Sequence, residues 1–467
     1  MKISLVYTTN ELNPNFSDLK FRDENMGIIT PLSLIAVASI LEKEGVAVQI
    51  LDVDAERLRY EQILRRLAEF APDLLGFTVT THSFQPVLRW IKKLKQDTGL
   101  PVLIGGAHTA LYPAEIMTHK EIDYMILGEA EIPLPEFIRA FERRNQDYEQ
   151  IKAFAYRRNG QVLINKELQM VRDLDTIPYP ARHLLKNELY AEFLTRKRNF
   201  TVMLSSRGCP YRCAFCDQKR TPYRGRSARS LVAEMKYNYE KFGIREFDMY
   251  DSTFTADRNR LIEICRLIQE EKLNLRWTIR SRVDSVNEKM LDALKSAGCH
   301  TIFYGIESSN PEILKRMKKG ITLEQVRRIL KYTKSIGIDM MGYFMLGFPG
   351  ETRKTIEDTI RFSLDLPLDY AQFTVLTPIT GTEIYDYYRE RGMKDYWAEY
   401  TLGPDKKYET IELIETELDR DETNQYVGRA YRRFYFRPRI IFKQIKLLSS
   451  YRKLISLVRG AIGMLKS

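Results

Sequence analysis

The sequence predicts an α/β protein in which an N-terminal doubly wound parallel sheet is followed by a partial (β/α)6 barrel and a helical, basic C-terminal tail. Three observations carry this prediction. Over residues 1–145 short β-rich runs alternate with helical patterns, from residue 199 the alternation resumes at a longer period, and the excess positive charge is confined to residues 423–467. At 467 residues the chain is too long for one ordinary core. With 44% hydrophobic and 29% charged residues it is globular, which excludes a disordered polymer, a collagen-like chain and a disulfide-stapled miniprotein.

In the first domain, residues 1–145, the β-rich runs are Ile3–Tyr7, Ala47–Val53, Leu74–Val79, Val102–Gly106 and Tyr124–Gly128. Between them lie helical patterns such as Pro31–Glu44, with proline in its first turn and Gly45 after its end, and Phe84–Lys95. Strands alternating with helices of this length make a parallel sheet wound on both faces. Ligands bind such sheets outside the carboxyl ends of the strands. Those ends are Thr80-Thr81-His82, Gly105-Gly106-Ala107-His108 and Gly128-Glu129-Ala130-Glu131.

Residues 146–198 read as a hairpin, turning at Asn159-Gly160, and a linker through Ile177-Pro178-Tyr179-Pro180. The barrel spans 199–385, with strands expected at Thr201–Ser205, Glu246–Tyr250, Arg276–Ile279, Thr301–Gly305, Met341–Leu346 and Gln372–Leu376. Its chemistry is expected at the carboxyl rim. A less regular region, 386–467, ends the chain.

The chain carries 73 basic and 62 acidic residues, a net charge of +11. Residues 423–467 hold no acidic residue and eleven basic ones, among them Arg429, Arg437, Lys443, Lys453 and Lys466. The body is therefore neutral, which argues against a nucleic-acid-binding surface spread over the fold. In the tail Ile441, Ile445, Leu448, Ile455, Val458, Ile462 and Leu465 recur at helical spacing, with most lysines and arginines between them. Such a helix either lies on an anionic membrane surface or packs its apolar stripe on the barrel. No apolar run approaches the roughly 18 residues of a spanning helix. The N-terminal run has no signal-peptide pattern, so the sequence predicts a cytoplasmic protein, peripheral to the inner face of the membrane if the tail binds there.

The decisive motif is Gly208-Cys209-Pro-Tyr-Arg-Cys213-Ala-Phe-Cys216, a C-x3-C-x2-C in the loop after the first barrel strand. One short loop can direct all three sulfurs inward, and soft thiolates select zinc, copper(I) or iron–sulfur. A structural zinc wants a fourth ligand, yet no Cys or His lies within fifteen residues on either side. Three ligands suit an iron–sulfur cluster with one iron left open. Cys265 and Cys299 sit in or beside helical patterns and read as packed thiols.

With this motif the chain resembles the radical S-adenosylmethionine (SAM) superfamily, in which such cysteines bind a [4Fe–4S] cluster whose open iron is chelated by SAM. The resemblance implies that Cys209, Cys213 and Cys216 are cluster ligands and that Phe215 packs near the adenine. Further matches fall at successive strand ends. Asp251-Ser252 stands where the family's backbone meets the SAM amino group, and Arg282 where an arginine meets the carboxylate. Glu307-Ser308 stands at the ribose, with Gly347-Phe-Pro-Gly350 and Pro378 with Gly381-Thr382 following on later strands.

The first domain is similar to the cobalamin-binding domain that precedes the barrel in one branch of that superfamily. The matching features are Pro31-Leu-Ser-Leu-Ile-Ala, Thr80-Thr81-His82, Gly105-Gly106 with His108, and Gly128-Glu129 with Glu131. The Asp-x-His-x-x-Gly motif that supplies a cobalt-ligating histidine in the mutases is absent. His82 and His108 are expected to line the pocket or bond locally rather than ligate cobalt. Together the two halves resemble the cobalamin-dependent radical SAM methylases and the anaerobic magnesium-protoporphyrin monomethyl ester cyclases. The resemblance implies C-methylation or oxidative cyclisation of a small molecule, with a flavodoxin or ferredoxin as reductant. Membrane contact by the tail favours a lipophilic metabolite (lipid, isoprenoid or tetrapyrrole), and the neutral body argues against a nucleic-acid partner. Two other readings are a tRNA methylthiotransferase-type enzyme and a non-enzymatic zinc- or corrinoid-binding protein. The first is disfavoured because no cysteine precedes Cys209.

Overall fold

The computed structural model describes residues 1–8, 27–143, 147–192, 195, 199–403 and 411–446. It divides into two compact units. One holds the N-terminal strand, Ile28–Glu192 and a segment beginning at Lys394; the other holds Phe193–Met393 and the C-terminal part from Glu409.

The first unit is built on a seven-stranded sheet. Its strands are β1 (Lys2–Tyr7), β2 (Ala47–Asp52), β3 (Leu74–Thr78), β4 (Val102–Gly105), β5 (Tyr124–Ile126), β6 (Phe154–Arg158) and β7 (Gln161–Asn165), in the order β2-β1-β3-β4-β5-β6-β7. The first five are parallel, with Leu5 opposite both Ile50 and Gly76. Helices α1 (Leu32–Lys43), α2 (Tyr60–Phe70), α3 (Phe84–Thr98) and α4 (Pro133–Glu142) cover the sheet, which is why β1 and β3 are apolar almost throughout. Gly99, at φ +67, closes α3. Strand order reverses direction between β1 and β3, and the crevice at such a switch point is where a sheet of this kind takes a ligand.

The hairpin forms at its expected turn because Asn159 (φ +50) and Gly160 (φ +78) both adopt the left-handed conformation that a two-residue hairpin loop requires. It adds to the sheet rather than standing apart, since β6 pairs antiparallel with β5 through Ile126 and Phe154. The expected linker makes short 3-10 turns and packs back on its own unit, where Tyr190 donates to Asp52 Oδ2 at 2.8 Å.

The second unit contains six parallel strands paired in sequence order: β8 (Phe200–Met203), β9 (Glu246–Met249), β10 (Arg276–Ser281), β11 (Cys299–Glu307), β12 (Asp339–Leu346) and β13 (Tyr370–Val375). Helices α5 (Ala228–Lys241), α6 (Arg258–Glu270), α7 (Glu288–Ser296), α8 (Pro311–Arg316), α9 (Leu323–Ser335), α10 (Arg353–Asp365) and α11 (Glu383–Glu390) connect and follow them. Side-chain oxygens of Ser227, Asp257, Asn287, Asn310, Thr322, Thr352 and Thr382 cap their N-termini. Alternation decides the two faces. Met340, Phe344 and Leu346 of β12 join the core under the helices, while Met341, Tyr343 and Met345 are less buried and point the other way, into the lumen.

Two features of the C-terminal region go beyond the sequence reading. Helix α12 (Tyr396–Leu402) belongs to the first unit, where Gln85 donates to the Tyr400 carbonyl at 2.6 Å. Helix α13 (Arg420–Tyr435), in which the basic tail begins, closes the edge of β13. The Tyr435 hydroxyl accepts from the Ala371 amide and donates to its carbonyl, and Tyr431 does the same at Phe373. These hydroxyls satisfy backbone groups that an open barrel would leave bare. The arginines that follow are also used locally: Arg433 pairs with Glu357, and Arg437 donates to the Leu364 carbonyl. Ile440 of α14 (Pro438–Lys446) is buried, whereas Ile441 and Phe442 are 40% and 65% exposed. The rest of the amphipathic pattern, from Leu448 onward, lies outside the described residues, and so do the side chains of Lys443, Ile445 and Lys446.

Candidate functional site

The cysteine loop leaves the carboxyl end of β8. Ser206–Arg207 pairs antiparallel with Arg224–Gly225, so the intervening residues form a closed loop on a two-stranded base. Gly208 sits at φ +73, and a Cβ there would lie 2.3 Å from the Thr221 carbonyl oxygen, so only glycine lets the chain turn into the motif. The Ala214 amide donates to the Met317 carbonyl at 2.9 Å, and its carbonyl accepts from the Ile384 amide at 3.0 Å. Cys213 is buried, while Cys209 and Cys216 are half-buried. Burial pushes the Cys216 thiol up to about 11, so Cys216 is not set up as an activated nucleophile. Among the described residues no three His, Cys, Asp or Glu side chains converge to hold one metal ion. The loop offers three soft sulfurs that do not meet at a single ion, and this donor chemistry fits a cluster with an open iron better than one zinc ion.

Strand ends bring the other predicted residues to this loop in unequal ways. Asp251, after β9, is fully buried and accepts from the Ser205 amide at 2.7 Å and from the hydroxyls of Ser205 and Ser206. Its carboxylate is thus the foundation of the loop rather than a group on the rim. Ser252 is exposed, with its hydroxyl 3.3 Å from Gln218 Oε1, and Thr253 contacts the Cys209 sulfur at 3.6 Å.

Arg282, after β10, donates from Nη1 to Cys213 Sγ at 3.3 Å, grips Asp284 through Nε and Nη2, and reaches the Lys319 carbonyl with Nη2. Its guanidinium also lies 4.0 Å from the Tyr211 ring centre. Four of the five N–H donors that a guanidinium carries are therefore committed. A bidentate grip on a ligand carboxylate is not on offer.

At the end of β11 the register shifts between Gly305 and Glu307, and Glu307 adopts φ +68. Its Oε1 accepts from Lys319 Nζ at 2.7 Å. Ser308 is buried and serves the turn that follows, accepting from the Asn310 amide at 3.1 Å. Phe215 has Lys319 Nζ 5.9 Å from its ring centre.

Gly347 and Gly350, after β12, are both left-handed, at φ +85 and +93. Their turn is held by Glu351, whose Oε2 accepts from the Gly347 and Phe348 amides at 2.6 and 3.1 Å. Glu351 is 1% exposed and its Oε1 has no partner, so burial pushes its carboxyl up to about 7.

Below this rim one part of the lumen wall is aromatic, beside the polar Gln372 and Thr374 of β13. Arg280 lies 3.9 Å from the Tyr250 ring centre and 4.8 Å from that of Phe303, and Phe303 stacks on Tyr343 at 6.1 Å. Asp248 neutralises Arg280 with both carboxylate oxygens.

The sequence reading missed Lys319, Glu351 and Thr253. It looked only at residues directly ending strands, whereas Lys319 lies in the turn between α8 and α9. Glu351 follows a motif that reads as a bare turn.

In the first unit the loops after β3, β4 and β5 are laced together. Gly106, at φ +117, forms an isolated bridge with Gly128, and a Cβ on Gly106 would lie 2.3 Å from the Val79 carbonyl oxygen. A Cβ on Gly105 or Gly128 would make only ordinary contact, with Ile126 at 4.0 Å and Leu168 at 3.8 Å, so these glycines keep the backbone slim where a sheet of this order takes its ligand. That surface fits a cobalamin edge. Thr80 shares its hydroxyl with Ser83 at the start of α3, and Glu129 Oε2 accepts from the Val171 amide at 3.1 Å. Ala130 keeps a negative φ, so alanine costs nothing in the Gly-Glu-Ala-Glu turn.

His108 is fully buried, with Nδ1 3.3 Å from Thr81 Oγ1 and Nε2 3.0 Å from Thr401 Oγ1. The Thr401 hydroxyl donates to the Trp397 carbonyl, so it accepts from His108, which therefore carries its proton on Nε2. Burial pushes His108 down to about 4 and keeps it neutral. Both nitrogens are used, leaving none for cobalt.

Residues 203–363 match the model of the radical SAM superfamily, and residues 24–138 that of the B12 binding domain. The chain is 34% identical to an uncharacterized methyltransferase of Pyrococcus horikoshii over 89% of this chain and 90% of that one. It is 27% identical to the cytidylyl-2-hydroxyethylphosphonate methyltransferase of Streptomyces wedmorensis, covering 80% of each. It is also 26% identical to the anaerobic magnesium-protoporphyrin IX monomethyl ester cyclase of Rubrivivax gelatinosus, over 87% of this chain and 74% of that one. In fold it resembles the radical SAM methyltransferase TsrM of Kitasatospora setae, with TM-score 0.66 and 23% identity over 84% of this chain and 75% of the other. The chain belongs to the radical SAM superfamily, in the branch whose barrel follows a B12-binding domain, and is a cobalamin-dependent enzyme of the methyltransferase and cyclase type that uses a [4Fe–4S] cluster and SAM.

Proposed function

We propose that the enzyme C-methylates a small lipophilic metabolite, with oxidative cyclisation of such a molecule as the second reading. The division of labour read from the sequence is kept. Residues 199–385 hold cluster and SAM, and residues 1–145 hold cobalamin. Cys209, Cys213 and Cys216 are the cluster ligands. Phe215, Ser252, Arg282, Glu307 and the Gly347 turn surround SAM, with Asp251 and Ser308 supporting them from behind. Thr80, Thr81, Gly105, Gly106, Gly128 and Glu129 face the cobalamin, and His108 braces their loops. When bound, these cofactors supply one-electron reduction, hydrogen abstraction from unactivated carbon and a transferable methyl group, none of which side chains can provide.

The observation that bears on the substrate class is the lumen, where Phe303, Met341, Tyr343 and Met345 form an apolar patch beside the polar Gln372 and Thr374, and Arg280 is already neutralised by Asp248. Such a patch suits an apolar ligand body with few polar anchors. Methylation is preferred because the relatives covered to 80% and 90% of their length carry methyltransferase names, against 74% for the cyclase. A flavodoxin or ferredoxin as reductant, and tail contact with the inner membrane face through exposed Ile441 and Phe442, complete the proposal.

To test it, the anaerobically reconstituted enzyme is incubated with methyl-deuterated SAM, reductant, and a cell extract partitioned into organic and aqueous fractions. Label entering a molecule of the organic fraction is the expected result. Label entering only aqueous metabolites contradicts the lipophilic assignment, and an unlabelled organic product two hydrogens lighter favours cyclisation.

A further inference from the structure

The turn Met317–Gly320, between α8 and α9, touches three parts of the site at once. Its Met317 carbonyl holds the cysteine loop at the Ala214 amide, its Lys319 carbonyl receives Arg282, and Lys319 Nζ donates to Glu307. Lys318 and Gly320 give it shape, both left-handed at φ +52 and +69.

The Lys319–Glu307 pair is enclosed, with side-chain exposures of 6% and 9%. Three structural concessions surround it. Glu307 occupies a backbone conformation that side chains disfavour. The β11 register breaks beside it. Gly305 leaves room for the pair in this arrangement, since a Cβ there would lie 2.6 Å from both Glu307 Oε1 and Lys319 Nζ and displace them. A buried ion pair is a poor way to stabilise a fold, because apolar groups of the same size do as well or better. Strain gathered around one carboxylate is instead a sign of a group held for a task. That carboxylate has one oxygen engaged by an ammonium, and its Oε2 has no hydrogen-bond partner among the described residues. An oriented, singly occupied carboxylate suits a vicinal diol, as acidic residues do at nucleotide riboses.

We propose that Lys319 is a positioning residue for nucleoside recognition: it clamps Oε1 of Glu307 so that Oε2 meets the ribose hydroxyls of SAM. The proposal deepens the SAM-binding reading above and rests on it. Lys318 of the same turn is exposed and pairs outward with Glu383, whereas the Lys319 ammonium retains two further donors beside Phe215.

The test measures binding rather than turnover. Full-length enzyme, reconstituted anaerobically, is titrated by equilibrium dialysis with SAM and with its 2′-deoxyribose analogue, while iron content and Tm are followed. Wild type is expected to prefer SAM by about tenfold or more, the scale set by one hydrogen bond to a charged group. Lys319→Met should bind SAM about tenfold more weakly, keep its iron and lose the preference, and Lys319→Arg should restore part of it. A Lys319→Met enzyme that retains the wild-type preference overturns the proposal. Loss of iron together with SAM binding also overturns it, placing the role of Lys319 at the cysteine loop. If Lys319→Met does not fold, Glu307→Gln carries the same comparison, and an undiminished preference there is equally fatal. Wild type that binds SAM without preference refutes the ribose contact, whereas wild type that binds no SAM refutes the underlying reading of the barrel.

Discussion

Arg282 places a guanidinium N–H 3.3 Å from the sulfur of Cys213, while Asp284 holds the same side chain from the other side. A cation donating to a cluster thiolate makes the reduced, more negative state easier to reach. Arg282→Gln should therefore lower the cluster's reduction potential. A charged hydrogen bond of about 1.5 kcal/mol corresponds to about 60 mV for one electron. A potentiometric titration followed by EPR measures it, and an unchanged midpoint contradicts the assignment.

Gly208 admits no side chain, since its φ is +73 and a Cβ would strike the Thr221 and Pro222 carbonyl oxygens. Gly208→Ala should reduce iron incorporation on reconstitution severalfold, read by elemental analysis. Gly45→Ala is the control. Its φ is +80 with nothing within 4 Å of the added methyl, so it should cost only about 1 kcal/mol of stability and no iron.

Glu351 makes the stability of the barrel depend on pH. Its folded-state value, about 7, lies above the usual 4.5 because it is buried. Between these values the unfolded chain releases the proton that the folded chain keeps, so stability falls as pH rises from about 4.5 to 7 and is level above that. At 1.36 kcal/mol per unit the full span is about 3 kcal/mol. Glu351→Gln removes this slope. Its Tm relative to wild type should therefore improve between pH 5 and pH 8, and parallel Tm curves would contradict the argument.

His108 is locked between Thr81 and Thr401, so it cannot ligate cobalt while both bonds stand. The EPR spectrum of bound cob(II)alamin should lack nitrogen splitting from a lower axial imidazole, and His108→Phe should leave that spectrum unchanged while weakening cobalamin retention severalfold. Splitting that vanishes in the variant would show that His108 does bind the metal.

Local chemistry explains what could be read from the chain beforehand. The parallel strands announced themselves because both faces are covered, so Ile3–Tyr7 and Leu74–Val79 are apolar apart from Ser4 and Thr78. Asn159-Gly160 set its hairpin by turn geometry alone. The cysteine spacing was equally plain, since three cysteines lie within eight residues of sequence. What escaped depends on contacts distant in sequence. Lys319 meets Glu307 only once α8 has folded back, and Tyr431 and Tyr435 are edge caps only because β13 has no further strand beside it. Helix α12 joins the first unit through hydrogen bonds to Gln85, His108 and His119, roughly 300 residues earlier, which no periodicity could signal. Asp251 and Arg282 sat at the right strand ends, but each spends its polar atoms on neighbours that the linear sequence does not reveal.

The central claim is that the three cysteines support SAM chemistry. The direct measurement is anaerobic turnover after reconstitution with iron, sulfide and cobalamin, with 5′-deoxyadenosine and S-adenosylhomocysteine quantified by mass spectrometry. The account predicts both products from wild type, and neither from Cys209→Ala, Cys213→Ala or Cys216→Ala. Wild type that binds iron yet forms neither product, or cysteine variants that form them as wild type does, would contradict it.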